Sequence, residues 1–532
     1  MSKSLLKHIF AFGRCYDEFE LVETEFGQPG FFDTGGPAPH EQQQKKENDS
    51  ISASVDENER RLKTELHTEI NPDMVLRRFL LCGKVPALAV FVNGMSDQGF
   101  VSDFILRQGM MVRDIDNGDS ELIDYAADNI FAMSEVKKET SWKSIKSAIM
   151  DGCTAVFIDG AAAALNMDTR KYEHRNIKEP QNEKVVKGSQ EGFVENLRTN
   201  ITLIRRRVRT DDLVVELRPC GGDNNVRAAI IYREGVANET LICEVKRRLA
   251  AVDTMLVLNA GMLEQLTERH TYSLFPQVLS TERPDRTAAM LMEGHVAVIV
   301  EGSPAANVMP ATLFTLMSTS EDSAMRVPQG SVIRIVRFIG ACISILLPGY
   351  FLALALHHQA LLSTEVLTTV VASRKMVFAS IGMEMLFLLL VFQLVREAGM
   401  RVPGSIGQAI GIIGGLILGQ AAVTANLASS VMLIVVALTG LGNFCIPDYS
   451  TQLSASIIRV MLVLSGWLAG LLGLFSCTFM ILAWLASLKS YGVPFLSPHS
   501  PKAKSKRPMV LRGPLNNTPR PKDVMNTEED GI

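Results

Sequence analysis

Charge is nearly missing from one long part of this 532-residue chain. Residues 331–490 carry only 12 charged side chains, and residues 402–447 carry none. That excludes an ordinary soluble enzyme over the whole length. Eight cysteines (Cys15, Cys82, Cys153, Cys220, Cys243, Cys342, Cys445 and Cys477) include no C-x-x-C pair, so a zinc ribbon and a dithiol redox site are excluded. Free thiols in a reducing compartment are expected. Nine histidines show no H-E-x-x-H spacing, and neither a phosphate-binding Walker loop nor a G-x-S-x-G elbow occurs. These absences accumulate against an enzyme, and no cofactor or metal is expected. A basic domain is lacking too. The net charge is -4 overall and −11 before Ser331, which argues against a nucleic-acid partner. The N-terminus has no clear apolar core followed by a small-residue cleavage site, so no signal peptide is read there.

What is present divides into four parts. Residues 1–70 form a polar N-terminal extension, largely disordered, because 34–70 has almost no large apolar side chain before Leu62; Asp56–Glu69 could be a frayed helix. Residues 71–330 are read as a cytosolic α/β domain in one lobe or two. Strands are expected at Pro86–Val92, Thr154–Ile158, Leu213–Leu217, Ala228–Tyr232, Thr254–Leu258 and His295–Val300. Helices are expected at Asp97–Gln108, Gly192–Arg209, Asn238–Val252, Ala260–Glu268 and Pro284–Glu293. The arginines of Gly192–Arg209 read first as an ion-paired face and second as a contact for acidic surfaces or anionic lipid.

Residues 331–490 form a helical membrane domain with about five hydrophobic segments: 338–356, 376–395, 406–425, 427–446 and 460–488. The last is 29 residues long and must tilt, kink at Gly466, Gly470 or Gly473, or protrude. Five full spans would put residues 491–532, a basic and disordered tail, opposite the cytosolic domain. Basic residues prefer the inside, so either one segment (376–395 is the suspect) dips without crossing or the bias is overruled. Gly407, Gly411, Gly415 and Gly419 make a ladder of small residues for close helix packing, within the chain or between subunits. Beside it, Gln408, Ile412, Leu416 and Gln420 share a sector that suits a pore wall with wet mouths and an apolar constriction. Glu384 is an acid inside an apolar run, so it either faces a watery path or is paired structurally.

Four stretches carry a family resemblance: FVENLRTNITLIRRR (193–207), FPQVLSTERPDRTAAMLMEGHVAVIVEGSP (275–304), VREAGMRVPGSIGQAIGIIGGLILGQAAV (395–423) and SLKSYGVPFLSP (487–498). The sequence resembles GerA-type spore germination proteins, the A subunits of nutrient germinant receptors, from about residue 71 to 500. The resemblance implies a multi-pass protein of the inner membrane of the bacterial endospore, with the N-terminal domain on the core side. It implies partnership with a B subunit and a lipoprotein C subunit, and a homo-oligomer, a pentamer, around a cation channel. It places the pore helix on Ser405–Ala425. Leu389 and Gln393 stand where the family commonly has acids, and Ser323 and Ala324 follow Asp322 where it tends to have aromatics. The competing readings are a non-conducting assembly platform, an accessory germination homologue and, behind them, a secondary transporter using Glu384.

Overall fold

The computed structural model describes residues 49–111, 122–133, 135–171, 179–180, 183, 185, 187–222, 226–269, 272–401 and 419–500. Helix α1 (Val55–Glu65) precedes the hairpin β1 (Met74–Leu81) and β2 (Val85–Val92). Then come β3 (Val136–Glu139), α2 (Trp142–Met150), β4 (Thr154–Ile158) and β5 (Ala164–Met167). Helix α3 (Leu197–Arg205) opens a second unit, with β6 (Leu213–Cys220), β7 (Val226–Arg233), α4 (Glu239–Ala250) and α5 (Ala260–Thr267). It ends with β8 (Leu279–Thr281), α6 (Pro284–Met292), β9 (Val296–Val300) and β10 (Ala306–Met309). The expected α/β region is therefore two lobes. Each holds a five-stranded antiparallel sheet, in the orders β1-β2-β4-β5-β3 and β6-β7-β9-β10-β8.

The lobes repeat one another. The hairpin sequences GCTAVFIDGAAAALNM (152–167) and GHVAVIVEGSPAANVM (294–309) fold in the same register, with Thr154 opposite Met167 and Val296 opposite Met309. Buried Asn58 brackets Ser52, accepting its N–H at 3.1 Å and donating to its carbonyl at 2.6 Å. Asn200 brackets Val194 in the same way, at 2.8 and 2.6 Å. Gly160 N–H donates to Ala53 and Gly302 N–H to Glu195. A side-chain amide thus replaces a sheet neighbour for chain that enters the lobe without one.

Three expectations change. Residues 49–70 are folded in part, because Ile51, Val55, Leu62 and Leu66 fall on one buried face of α1 and its lead-in. Thr254–Leu258 is not a strand: it finds no sheet partner, and Met255 is 79% exposed. Residues 489–500 are ordered against the lobes, while 501–532 lie outside the described residues.

The helical region starts with α7 (Val327–His357), α8 (Thr364–Arg374) and α9 (Ile381–Arg401). It continues with α10 (Ser430–Phe444), after a tight turn at Asn426, and α11 (Tyr449–Ser487). Helix α11 is two limbs. Gly470, at φ 61° and ψ -146°, turns the chain back, and a Cβ on Gly473 would lie 2.6 Å from the carbonyl of Ser465. Only glycine takes that conformation readily. The apolar run 460–488 is accordingly the top of a hairpin and not one long span. Its limbs pack on α7 where backbones touch: a Cβ on Gly349 would meet Leu462 O at 2.7 Å. The short β11 (Lys489–Ser490) and β12 (Val493–Pro494) then return to the lobes.

The Asn brackets make a direct prediction. Asn200→Ala leaves the N–H and C=O of Val194 unpaired and buried, at about 1–3 kcal/mol for each orphaned group. The thermal midpoint of the lobes should drop clearly, and Asn58→Ala should do the same. An unchanged midpoint in both variants would show that the brackets do not hold the repeat together.

Candidate functional site at the junction of lobes and helices

Three attachments tie the helices to the second lobe, and each begins with a polar side chain. At the entry to α7, Asp322 is 1% exposed. It accepts from Arg337 at 3.0 and 3.2 Å and from Arg334 at 3.1 Å, while Arg337 also reaches the carbonyl of Met317. Burial opposes ionisation of Asp322, but the Arg337 hydrogen bond and charge outweigh it, so its carboxyl is held below the ordinary 3.8. At the entry to α11, Asp448 caps the helix by accepting from Thr451 N–H at 2.7 Å, and Ser454 Oγ donates to the carbonyl of Leu274.

At the exit, Ser490 Oγ donates to Gln277 O at 2.5 Å and accepts from Ala311 N–H at 2.9 Å. Tyr491 is fully packed, with the Arg248 guanidinium 4.0 Å over its ring. Burial pushes its hydroxyl up to about 12. Phe275 lies between Trp484 and Phe495, at 6.1 and 5.6 Å between ring centroids. Segment 274–277 therefore touches both ends of the α11 hairpin.

Two acids stand beside this segment. Burial pushes Glu264 up to about 8, helped by the charges of Glu268 and Asp448. Burial also lifts Glu268 to about 7, against the N–H it accepts from Gln277 at 2.6 Å. Both favour the proton-bound form in the folded state.

The lobes also meet each other through charge. Arg205, 3% exposed, grips Asp73 with two nitrogens. Lys146 bridges Glu65 at 2.8 Å and Asp211 at 2.7 Å. The arginines after 197 are thus mostly paired: Arg207 with Glu191 at 2.6 Å and Arg209 with Asp151 at 3.1 Å. Between the lobes a polar cleft of about 360 Å³ is lined by Asn93, Asp97, Lys171, Arg198 and Arg206.

The residues singled out from sequence fare differently. Glu384 is buried at 1% exposure, paired with Arg374 at 3.1 Å and accepting from Ser429 N–H at 2.6 Å. It joins α8, α9 and the start of α10. Gly419 packs within the chain, with a Cβ there 3.4 Å from Leu433, and Gln420 is exposed. Gly407, Gly411, Gly415, Gln408, Ile412 and Leu416 lie outside the described residues. Sequence reasoning missed Asp322, Ser490 and the two raised acids. The dense family-like stretches 487–498 and 275–304 hold Ser490 and its partner Gln277, and the structure presses the two stretches together.

The pH dependence follows by sign. The lowered Asp322 contributes stability above its ordinary 3.8 that is lost as pH falls through its folded value. The raised acids contribute stability in full below their ordinary 4.5 that is lost as pH rises through about 7 for Glu268 and about 8 for Glu264. Glu264→Gln with Glu268→Gln should flatten the alkaline limb of a melting-temperature profile, and Asp322→Asn the acid limb. Asp322→Asn should also speed proteolysis between Ser318 and Val327. Identical profiles for wild type and variants would remove these groups from the junction.

The family description Bacillus/Clostridium GerA spore germination protein matches residues 60–523. Spore germination protein A1 of Bacillus subtilis (strain 168) is 34% identical over 460 residues, covering 86% of this chain and 94% of that one. Spore germination protein KA of the same organism is 33% identical over 462 residues, covering 86% and 84%. Stage V sporulation protein AF, also from that organism, is 29% identical over 464 residues, covering 86% and 92%. The solved N-terminal domain of the A subunit of the Bacillus megaterium germinant receptor GerK3 is similar at TM-score 0.39 and 25% identity, covering 50% of this chain and 97% of that domain. Matched along most of its length by spore germination proteins, the chain belongs to the GerA family of spore germination A subunits.

Proposed function

We propose that this protein is the A subunit of a spore germinant receptor, forming a homo-oligomeric channel that releases cations when nutrient germinants are sensed. Its partners are a B subunit and a lipoprotein C subunit, and the oligomer is a pentamer in the inner membrane of the endospore. The observation that carries this reading is family membership over residues 60–523. The triple attachment of the helices to the second lobe adds a mechanical route. A shift of segment 274–277 or of Asp322 moves α7 and both limbs of α11 together.

The lobes belong on the core side. Arg326, Arg334, Arg337 and Lys489 lie at the lobe end of the helices, as the positive-inside preference requires. Helix Val327–His357 is long and apolar enough to cross a bilayer. The limb Tyr449–Ala469 spans about 31 Å by itself. Because α11 turns back at Gly470, the tail begins on the same side as the lobes, which removes the conflict with its basic charge. The paired state of Glu384 weighs against a transporter relay. An accessory role is the second reading, favoured by the near full-length similarity to Stage V sporulation protein AF.

Ion flux through the purified chain in liposomes, with its oligomeric mass, tests the proposal. Leu416→Ser and Ile412→Ser should each raise resting cation flux several-fold by wetting the constriction. No flux from wild type or variants, with and without B and C subunits, would leave the channel reading untenable.

A further inference from the structure

Two arginines are buried where α9, α10 and α11 meet. Arg396 on α9 is 8% exposed and Arg459 on α11 is 3% exposed. Arg459 donates to Asn443 Oδ1 at 3.1 Å and to Ser456 Oγ at 2.9 Å. Ser344 Oγ also donates to Asn443 Oδ1, at 3.3 Å, so the carbonyl side of that amide is occupied. Among the described residues five nitrogens here find no partner: Nε, Nη1 and Nη2 of Arg396, Nε of Arg459 and Nδ2 of Asn443. All are donors. Phe392, one turn before Arg396, packs on Gly440 and Phe444, which sets Arg396 against the part of α10 that carries Asn443, the partner of Arg459. No carboxylate pairs with either among the described residues.

A buried charge without a counter-ion is strongly unfavourable, and two of like sign compound the effect. The donors therefore mark a place for an anion. We propose that Arg396, Arg459 and Asn443 form a binding site for a phosphate group, supplied by the headgroup of an anionic phospholipid. This rests on the membrane placement proposed above.

Position and surroundings favour the lipid. Arg459 lies five residues past Ser454, which bonds to the lobes, so it sits about 7.5 Å further along the helix. That is the depth of a headgroup on the lobe side. Arg396 stands one turn beyond Phe392, whose ring packs 6.3 Å from that of Phe444. On the outer faces of α9 and α10 at the same level, Leu394, Leu441 and Phe444 turn apolar surface outward, where acyl chains would cover it. Basic pockets between membrane helices on the cytosolic side are suited to such headgroups. Five donors from three residues also exceed what one carboxylate readily satisfies.

The test uses the full chain in an uncharged detergent. Melting temperature is followed against phosphatidylglycerol, phosphatidylcholine and inorganic phosphate. Phosphatidylglycerol should stabilise the wild type in a saturable way, and phosphatidylcholine should not. Arg396→Gln and Arg459→Gln should weaken the apparent affinity at least tenfold. Asn443→Asp guards against variants that fail to fold, because it places a carboxylate among the donors. It should melt higher than wild type without lipid and lose the phosphatidylglycerol response. An equal response to inorganic phosphate would assign the site to free phosphate and overturn the lipid. A phosphatidylglycerol response unchanged in all three variants would overturn the site, as would none in wild type. Arg396→Gln that dissociates the oligomer while keeping the lipid response would point to a neighbouring subunit's carboxylate instead. Flotation with phosphatidylcholine vesicles reads membrane insertion separately, so failure of that placement is distinguishable.

Discussion

The hydroxyl of Ser490 bonds to the carbonyl of Gln277, and the path of the helical region depends on that closure. It brings residues that follow the last helix back into the lobe that precedes the first. Tyr491 and Phe495 then become core residues of a domain from which they are distant in sequence. With the exit of α11 held there and its entry held at Leu274, the helix must reverse between them. Gly470 supplies the reversal. The reversal of α11 and the contact of both its limbs with α7 follow from this closure.

Charge is arranged unevenly around that frame. In the lobes, arginines find carboxylates at nearly every step, and the interface between repeats is written in ion pairs: Arg205 with Asp73, Lys146 with Asp211 and Arg209 with Asp151. At the junction, Asp322 holds two arginines of α7. Within the helices, Glu384 is paired, while among the described residues no carboxylate pairs with Arg396 or Arg459. Pairing costs little where water can still reach, but beneath the surface an unmatched cation asks for an external anion.

Much of the fold was legible. Alternating apolar runs with Asn or Pro at helix starts located α4, α5, α6 and the central strands within a few residues. Thr254–Leu258 misled because a short apolar run has the same period whether or not a sheet edge is free to receive it. The duplication was present in residues 152–167 and 294–309, yet the shared residues are mostly small and common ones, and register made the repeat evident. Helix α1 was legible at Asp56–Glu69 only as a frayed helix in a polar extension, whereas Val55 and Leu62, with Ile51 and Leu66 on either side of the helix, pack it firmly on the first lobe.

Sequence alone determined the division into an acidic α/β part and an apolar helical part, because charge content and period act locally. It determined the family as well, through long stretches in order. The junction, the pairing of Glu384, the reversal at Gly470 and the unmatched donors of Arg396 were decided only by tertiary structure. Each depends on which distant groups meet, and a chain's local pattern carries the capacity to pair without naming the partner.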